Sequence, residues 1–244
     1  MSNEAPRKVY VRGADGFPLK GTFVYPRLNT PDTKFKAEGE YQVRVRVSAE
    51  EAQPVIEKVD SLATEAYENA KAEIEEEIAA ATKAKKPIGK LKEKLAKLKY
   101  TDKCYKPALD DDGNETGEIE FNFKMTASGV SKKNGKPWSR APQVFDAKGK
   151  ELKGKAIPSI WGGTIGRVDG FYNPFCTAVG AGVSLRLEAV QIIQLQSGSG
   201  SASAAQRGFG VEEGGFEAEE EDGSQFPSEG GDEGSTDGDE RPDF

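Results

Sequence analysis

Arg44 and Arg46 alternate with Tyr41, Val43, Val45 and Val47. That period of two turns the apolar side chains to one side of a strand and the guanidinium groups to the other. Ile119, Phe121, Phe123 and Met125 alternate in the same manner with Glu120, Asn122 and Lys124, and Arg140 and Arg167 belong to further segments of this kind. Aromatic residues lie close by in sequence. Trp138 sits in the turn-forming run Asn134-Gly-Lys-Pro-Trp-Ser-Arg, and Gly170-Phe-Tyr-Asn-Pro-Phe crowds Phe171, Tyr172 and Phe175 into a segment read as a loop. Fixed cations beside flat rings suit one chemistry, in which the cations track phosphates while unpaired bases stack at roughly 1–3 kcal/mol each. A solvated outer face accounts equally well for any one of these arginines alone; the neighbouring rings favour the groove. Tyr172, Phe175 and Trp138 are assigned to stacking, whereas Trp161 and Phe171 divide evenly between stacking and core.

Other chemistries are excluded or lack support. The 244-residue chain has no His, which removes His-based triads, His general bases and His-containing zinc sites. Its two cysteines, Cys104 and Cys176, are too few for a disulfide framework or a four-Cys metal site, and are expected as free thiols in a reducing compartment. Asp110-Asp-Asp-Gly-Asn-Glu lacks the spacing and the late Glu of a calcium loop and reads as a turn. Trp161-Gly-Gly-Thr is not followed by the Gly-Lys-Ser/Thr of a phosphate-binding loop. No catalytic constellation, cofactor or metal site emerges. There is no 18-residue apolar run and no apolar leader, so no membrane association is expected.

The charge is divided along the chain. Residues 207–244 hold 14 acidic and two basic residues, whereas residues 1–206 hold 32 basic and 27 acidic ones, so the net −7 combines a basic body with an acidic tail. Ten of the body's acids fall in residues 50–80. Nine lysines follow within residues 83–103, which serve either as a solvated helix face or as a phosphate-contacting arm.

The elements that must position the cations and rings follow from the same patterns. Beside the two strands above, Val183, Leu185, Leu187 and Ala189 lead into a long closing strand, and shorter strands are predicted at 8–12, 20–25, 142–146 and 165–169. Residues 50–82 place Val55, Ile56, Val59, Leu62, Ala63 and Ala66 on one helical face, and 90–99 form a short Lys-rich helix. The pattern is mainly β: five to seven antiparallel strands in a small Greek-key barrel, with a helical insertion over about 50–100. The folded domain is placed at 1–196, a Gly/Ser linker at 197–206, and a disordered acidic tail at 207–244. The tail ends in Asp243-Phe244, a large ring beside the chain's own carboxylate, suited to an apolar pocket with a basic rim on another protein.

The chain resembles the single-stranded DNA-binding proteins of short-tailed lytic bacteriophages. The resemblance rests on Tyr25-Pro26 followed by Gly39-Glu-Tyr-Gln-Val-Arg-Val, the long Ala/Glu helix, Val144-Phe-Asp-Ala-Lys-Gly-Lys, Ile160-Trp-Gly-Gly-Thr, the run from Thr177 to Gln191, and the acidic tail ending Asp-Phe. It implies a five-stranded OB-fold barrel with an inserted helix, a sequence-tolerant groove for single-stranded DNA, and annealing of complementary strands. It also implies a terminal Phe that contacts the phage DNA polymerase and helicase–primase, a tendency to form homodimers, and action in the cytoplasm of the infected bacterial host during replication, recombination and repair. In that pattern the stacking rings correspond to Tyr172 and Phe175. Where relatives carry a basic residue before the Gly-x-Tyr strand this chain has Glu38, with Lys34 and Lys36 upstream as the candidate contacts.

The alternative is a protein-interaction hub whose tail merely solubilises it. A tethered polyanion competes with nucleic acid at high effective concentration. Truncation after residue 206 is therefore expected to tighten single-stranded DNA binding at low salt, measured by titration against the full chain; equal affinities would reject the competition.

Overall fold

The computed structural model describes residues 8–178 and 180–196. The expected linker over 197–206 and tail over 207–244, with Asp243 and Phe244, lie outside the described residues.

The two alternating segments pair with each other. Strand β3 (Glu40–Ser48) runs antiparallel to β5 (Glu115–Thr126) in an unbroken register from Glu40↔Thr126 to Ser48↔Glu118. Val43, Val45, Phe121 and Phe123 face inward and are fully buried. The preceding strand β2 (Leu19–Asp32) pairs with β3, and the long hairpin of β10 (Ile165–Thr177) and β11 (Gly180–Gln194) completes the circuit. β11 joins β5 through Leu185↔Phe123 and Arg186↔Lys124, and β10 joins β2 over Ile165–Val168. The ring β2-β3-β5-β11-β10 thus closes on itself as a five-stranded barrel. Its β5–β11 pair is parallel, which corrects the all-antiparallel expectation: both strands enter the ring from the same end because a long excursion separates them.

Closure depends on a close approach of backbones. Gly21 of β2 and Gly166 of β10 are register partners. A Cβ on Gly166 would lie 2.4 Å from the Gln191 carbonyl oxygen and 2.5 Å from the Phe23 ring; one on Gly21 would lie 2.3 Å from the Arg46 carbonyl. The seam therefore excludes any side chain, and the buried Phe23 ring fills the interior beside it.

Short elements decorate the barrel. Strand β1 (Val9–Tyr10) extends the edge of β10, and β4 (Tyr105–Leu109) extends β5. Between β5 and β10 the chain forms a hairpin of β6 (Ser128–Val130) and β7 (Pro137–Ser139). A second hairpin, β8 (Gln143–Phe145) with β9 (Glu151–Leu152), follows it, with β8 alongside β11. The Asp110 run is the expected turn: Asp110 Oδ1 accepts from the amides of Asp112 and Asn114, closing the β4–β5 hairpin.

The helical insertion separates β3 from β4. Helix α1 (Ala49–Lys83) starts where the Ser48 hydroxyl accepts from the Glu51 amide, with Glu50 and Glu51 in its positive first turn. Ala52, Val55 and Val59 pack into the barrel core. Helix α2 (Gly89–Lys97) lies beside the far half of α1, where Lys94 approaches Glu77 to 4.0 Å. The segment after α2 docks on the β10–β11 hairpin through the Tyr100↔Ala181 bridge and the Tyr67–Tyr100 stack at 4.5 Å. A Cβ on Gly182 would lie 2.1 Å from the Thr101 hydroxyl, which explains the small residues at 180–182.

Strand β10 continues to Thr177, so the Gly170–Phe175 segment is not a loop; pairing with β11 overrides its Gly, Asn and Pro content. Gly166→Ala should cost about 1–3 kcal/mol through overpacking. A melting temperature lower by roughly 2–4 °C per kcal/mol would register this in thermal unfolding, and an unchanged transition would refute the seam.

Candidate nucleic-acid interface

The outer side of the β3–β5 ladder carries the charged residues that the inner side cannot hold. Gln42, Arg44 and Arg46 stand opposite Lys124, Asn122 and Glu120, rung by rung. Around this face lie three concavities that share Lys124. One, of about 320 Å³, is lined by Arg44, Lys103, Lys106, Asn122, Lys124 and Phe175 among others. A second, of about 340 Å³, holds Phe35, Lys36, Glu40, Gln42 and Lys124. The third, of about 600 Å³, holds Lys8, Lys124, Trp138, Arg140, Phe171 and Arg186, with Asp169 and Glu188. Lys124 makes them neighbours, and cations and rings line each of them.

The cations are held by hydrogen bonds and by counter-charges. Lys36 and Lys124 grip the two oxygens of Glu40 at 2.7 and 2.9 Å. Burial pushes the Glu40 carboxyl up, but the two ammonium groups outweigh it and hold it below its ordinary value. Glu120 is buried under three cations, with Arg46 at 2.9 Å, Lys106 at 3.5 Å and Arg44 at 3.9 Å. Arg140 donates its Nε–H to the Thr126 carbonyl at 3.0 Å and lies 5.0 Å from the Trp138 ring centre. Trp138 rests against Gly129, its cross-strand partner, where a Cβ would come within 2.8 Å of the ring. Lys34 stands 5.4 Å from the ring of Phe35, which is strongly exposed.

Of the residues singled out from sequence, Lys36, Arg44, Lys124, Trp138, Arg140 and Phe175 line the shared concavities. Lys34 flanks them on the β2–β3 loop beside Phe35. Arg46 is on the same face but is committed to Glu120. Two residues are placed elsewhere. Tyr172 points into the barrel and is buried in the core, where burial pushes its hydroxyl up to about 12, so its ring has no stacking face. Strand alternation through Phe171 and Asn173 forces this inward direction. Arg167 is tied to Asp15 and the Pro18 carbonyl, each at 2.8 Å, and lines a hollow with Pro18 and Phe145 that does not contain Lys124. That guanidinium, with the Phe17 amide, holds the Asp15 carboxyl below its usual range.

Other rings face outward without having been assigned to stacking. Tyr25 is 75% exposed, has φ of +46° at the irregularity between Val24 and Arg27, and lies 6.0 Å from the Arg44 guanidinium. Trp161 is exposed, and Phe171 is half-buried with Lys8 4.6 Å above its ring. Lys103 brings the end of the Lys-rich run to the Arg44 concavity, and Lys106 of β4 adds a further cation there. Tyr105 and Asp60 bond the Lys103 ammonium and raise its pKa. The signal for Tyr25 was Pro26 after it, whose missing N–H cannot join the β2–β3 ladder and so marks a break in the pairing. Nothing in the spacing distinguished Arg186 from other outward residues of its strand.

Known proteins resemble this chain in sequence and fold. The family model described as single-stranded DNA-binding protein of bacteriophage T7 matches residues 21–195. The single-stranded DNA-binding protein of Enterobacteria phage T3 is 30% identical over 221 residues, covering 88% of this chain and 87% of that protein. The counterpart from Escherichia phage T7 is 30% identical over 185 residues, covering 74% and 72%. The crystal structure of gp2.5, a single-stranded DNA-binding protein encoded by bacteriophage T7, matches with a TM-score of 0.56 at 25% identity, covering 87% of this chain and all of that one.

The two thiols provide internal reporters. Cys176 is exposed on β10 beside Phe175, whereas burial pushes the Cys104 thiol up to about 12. Thiol alkylation at neutral pH should modify Cys176 and spare Cys104, and a bound oligonucleotide should slow the Cys176 reaction. Equal rates with and without oligonucleotide would place the interface away from the hairpin.

Proposed function

The chain belongs to the family of the bacteriophage T7 single-stranded DNA-binding protein, and from that premise we propose that it carries a strand across the outer face of β3 and β5. It is a phage single-stranded DNA-binding protein, a binding protein and not an enzyme. Lys36, Arg44, Lys124, Arg140 and Arg186 hold phosphates in this reading, and Trp138, Phe171, Phe175 and Tyr25 offer faces to bases. Lys34 adds charge at the loop that borders the groove. The single observation supporting this path is the sharing of Lys124 by three concavities lined with cations and rings.

The contacts explain why such a site tolerates sequence. Every base has a π-face, and the phosphates are the same at every step, so stacking and charge give affinity without reading base edges. We place the protein in phage DNA replication, recombination and repair, where it protects and anneals single strands in the cytoplasm of the infected host. No described helix is long and apolar enough to cross a membrane. The acidic segment ending in Asp243 and Phe244 would recruit the phage polymerase and helicase–primase, its ring serving as the anchor. A homodimer would hold two grooves in one particle for annealing.

A salt titration of tryptophan fluorescence during oligonucleotide binding tests the groove. Five phosphate contacts at about 0.7 each predict a slope of log K against log[salt] of roughly −3.5. Arg44→Ala or Lys124→Ala should weaken binding and lower that slope by about 0.7, and Trp138→Phe should reduce the quenching. A complex indifferent to salt, or variants that bind like the parent chain, would reject this path.

A further inference from the structure

Two groups of the groove's cations do not stand alone: each covers a carboxylate. Lys36, from the loop between β2 and β3, and Lys124, from β5, meet on Glu40, which is less exposed than either. Arg44 and Arg46 of β3 and Lys106 of β4 converge on Glu120, which is only 5% exposed. Arg46 makes the one hydrogen bond there. Oε2 of Glu120 is buried with no hydrogen-bond donor, although Arg44 and Lys106 are within 4 Å. These two cations are thus drawn to the carboxylate while their N–H groups remain available to a ligand.

Resting on the single-strand-binding reading, we infer that Glu40 and Glu120 are fixed counter-ions of the groove, standing in for DNA phosphates when the strand is absent and lowering its affinity when the strand arrives. The arrangement has a direction. The acids lie underneath and the cations outside, so an approaching phosphate meets the cations first and draws them from the carboxylates. Each carboxylate also neutralises part of the charge that would otherwise have recruited a phosphate. A buried ionised carboxylate is costly unless paired, so the acids keep their cations gathered at the groove while it is empty. They are positioning residues, acting on DNA through the cations they hold. The groove therefore releases its strand more readily than its count of cations implies, which suits a protein that must be displaced from DNA as well as cover it.

The test compares the full chain with Glu40→Gln and Glu120→Gln by oligonucleotide binding over 50–200 mM salt. Glu73→Gln on the exposed side of α1 serves as a control for the loss of one negative charge. Each groove variant should bind more tightly at low salt. Each should also steepen the slope by about 0.7, so that its advantage shrinks by roughly threefold across the fourfold salt range. The amide keeps an acceptor for its neighbours, and thermal melting identifies any variant that fails to fold; Glu40, nearer the surface, keeps the test decisive if Glu120→Gln does not. Unchanged or weaker binding, tighter binding with the parent slope, or an equal effect of Glu73→Gln would overturn the inference. Loss of salt dependence in the parent chain would instead overturn the groove itself.

Discussion

The ladder between β3 and β5 is the constraint on which the rest depends. Its nine rungs place Val43, Val45, Phe121 and Phe123 in the barrel and leave Arg44, Asn122, Gln42 and Lys124 outside. Because side chains alternate, the two sets are coupled: a slip of one residue would turn every cation inward and every core residue out. Packing therefore fixes the register, and the register fixes the spacing of the cations. The Gly21–Gly166 seam contributes at the other side of the ring, because without that approach β10 and β2 would not meet and β11 would lose its place beside β5.

Electrostatics on the outer face is a matter of pairing more than of number. A count of lysines and arginines predicts a strongly basic face, yet Arg46 is spent on Glu120, Arg167 on Asp15, and Lys36 and Lys124 share Glu40. Pairs at a solvated surface contribute little to stability in water, whereas the buried Glu120 must stay paired. Their importance is geometric. They keep long, flexible side chains over the concavities and set how much charge remains for a ligand.

The insertion adds a second layer to the same face. Segment 99–101 reaches the β10–β11 hairpin because Gly180 and Gly182 leave room for it, and this docking carries Lys103 and Lys106 to the concavity of Arg44. The run Gly180-Ala-Gly thus has a physical explanation that no local turn rule supplies. Tyr25 is similar: its left-handed backbone at a break in the β2–β3 pairing turns an aromatic ring out beside Arg44. Trp161, evenly divided between core and surface on sequence grounds, follows the same logic, since its position after Ile160 places it outside a core that Ile160 enters.

Features that depend on near neighbours along the chain can be read from the order of the amino acids. Period-two alternation exposed Arg44, Arg46 and Lys124, the apolar face of α1 announced a docked helix, and the absence of His excluded whole classes of catalysis. The cations and rings suggested a ligand of phosphates and unpaired bases, and the family resemblance named it as single-stranded DNA. Which of those residues meet depends on how the chain closes in space. Tyr172 went into the core because β10 runs on past its Gly and Pro residues, and Arg167 was claimed by Asp15, 152 residues away. Arg186 and Phe171 joined the groove through the pairing of strands remote in sequence. Alternation is local and survives in one dimension; partnership between distant charges requires the barrel to close, and only the closed ring brings Lys124 to the junction of three hollows.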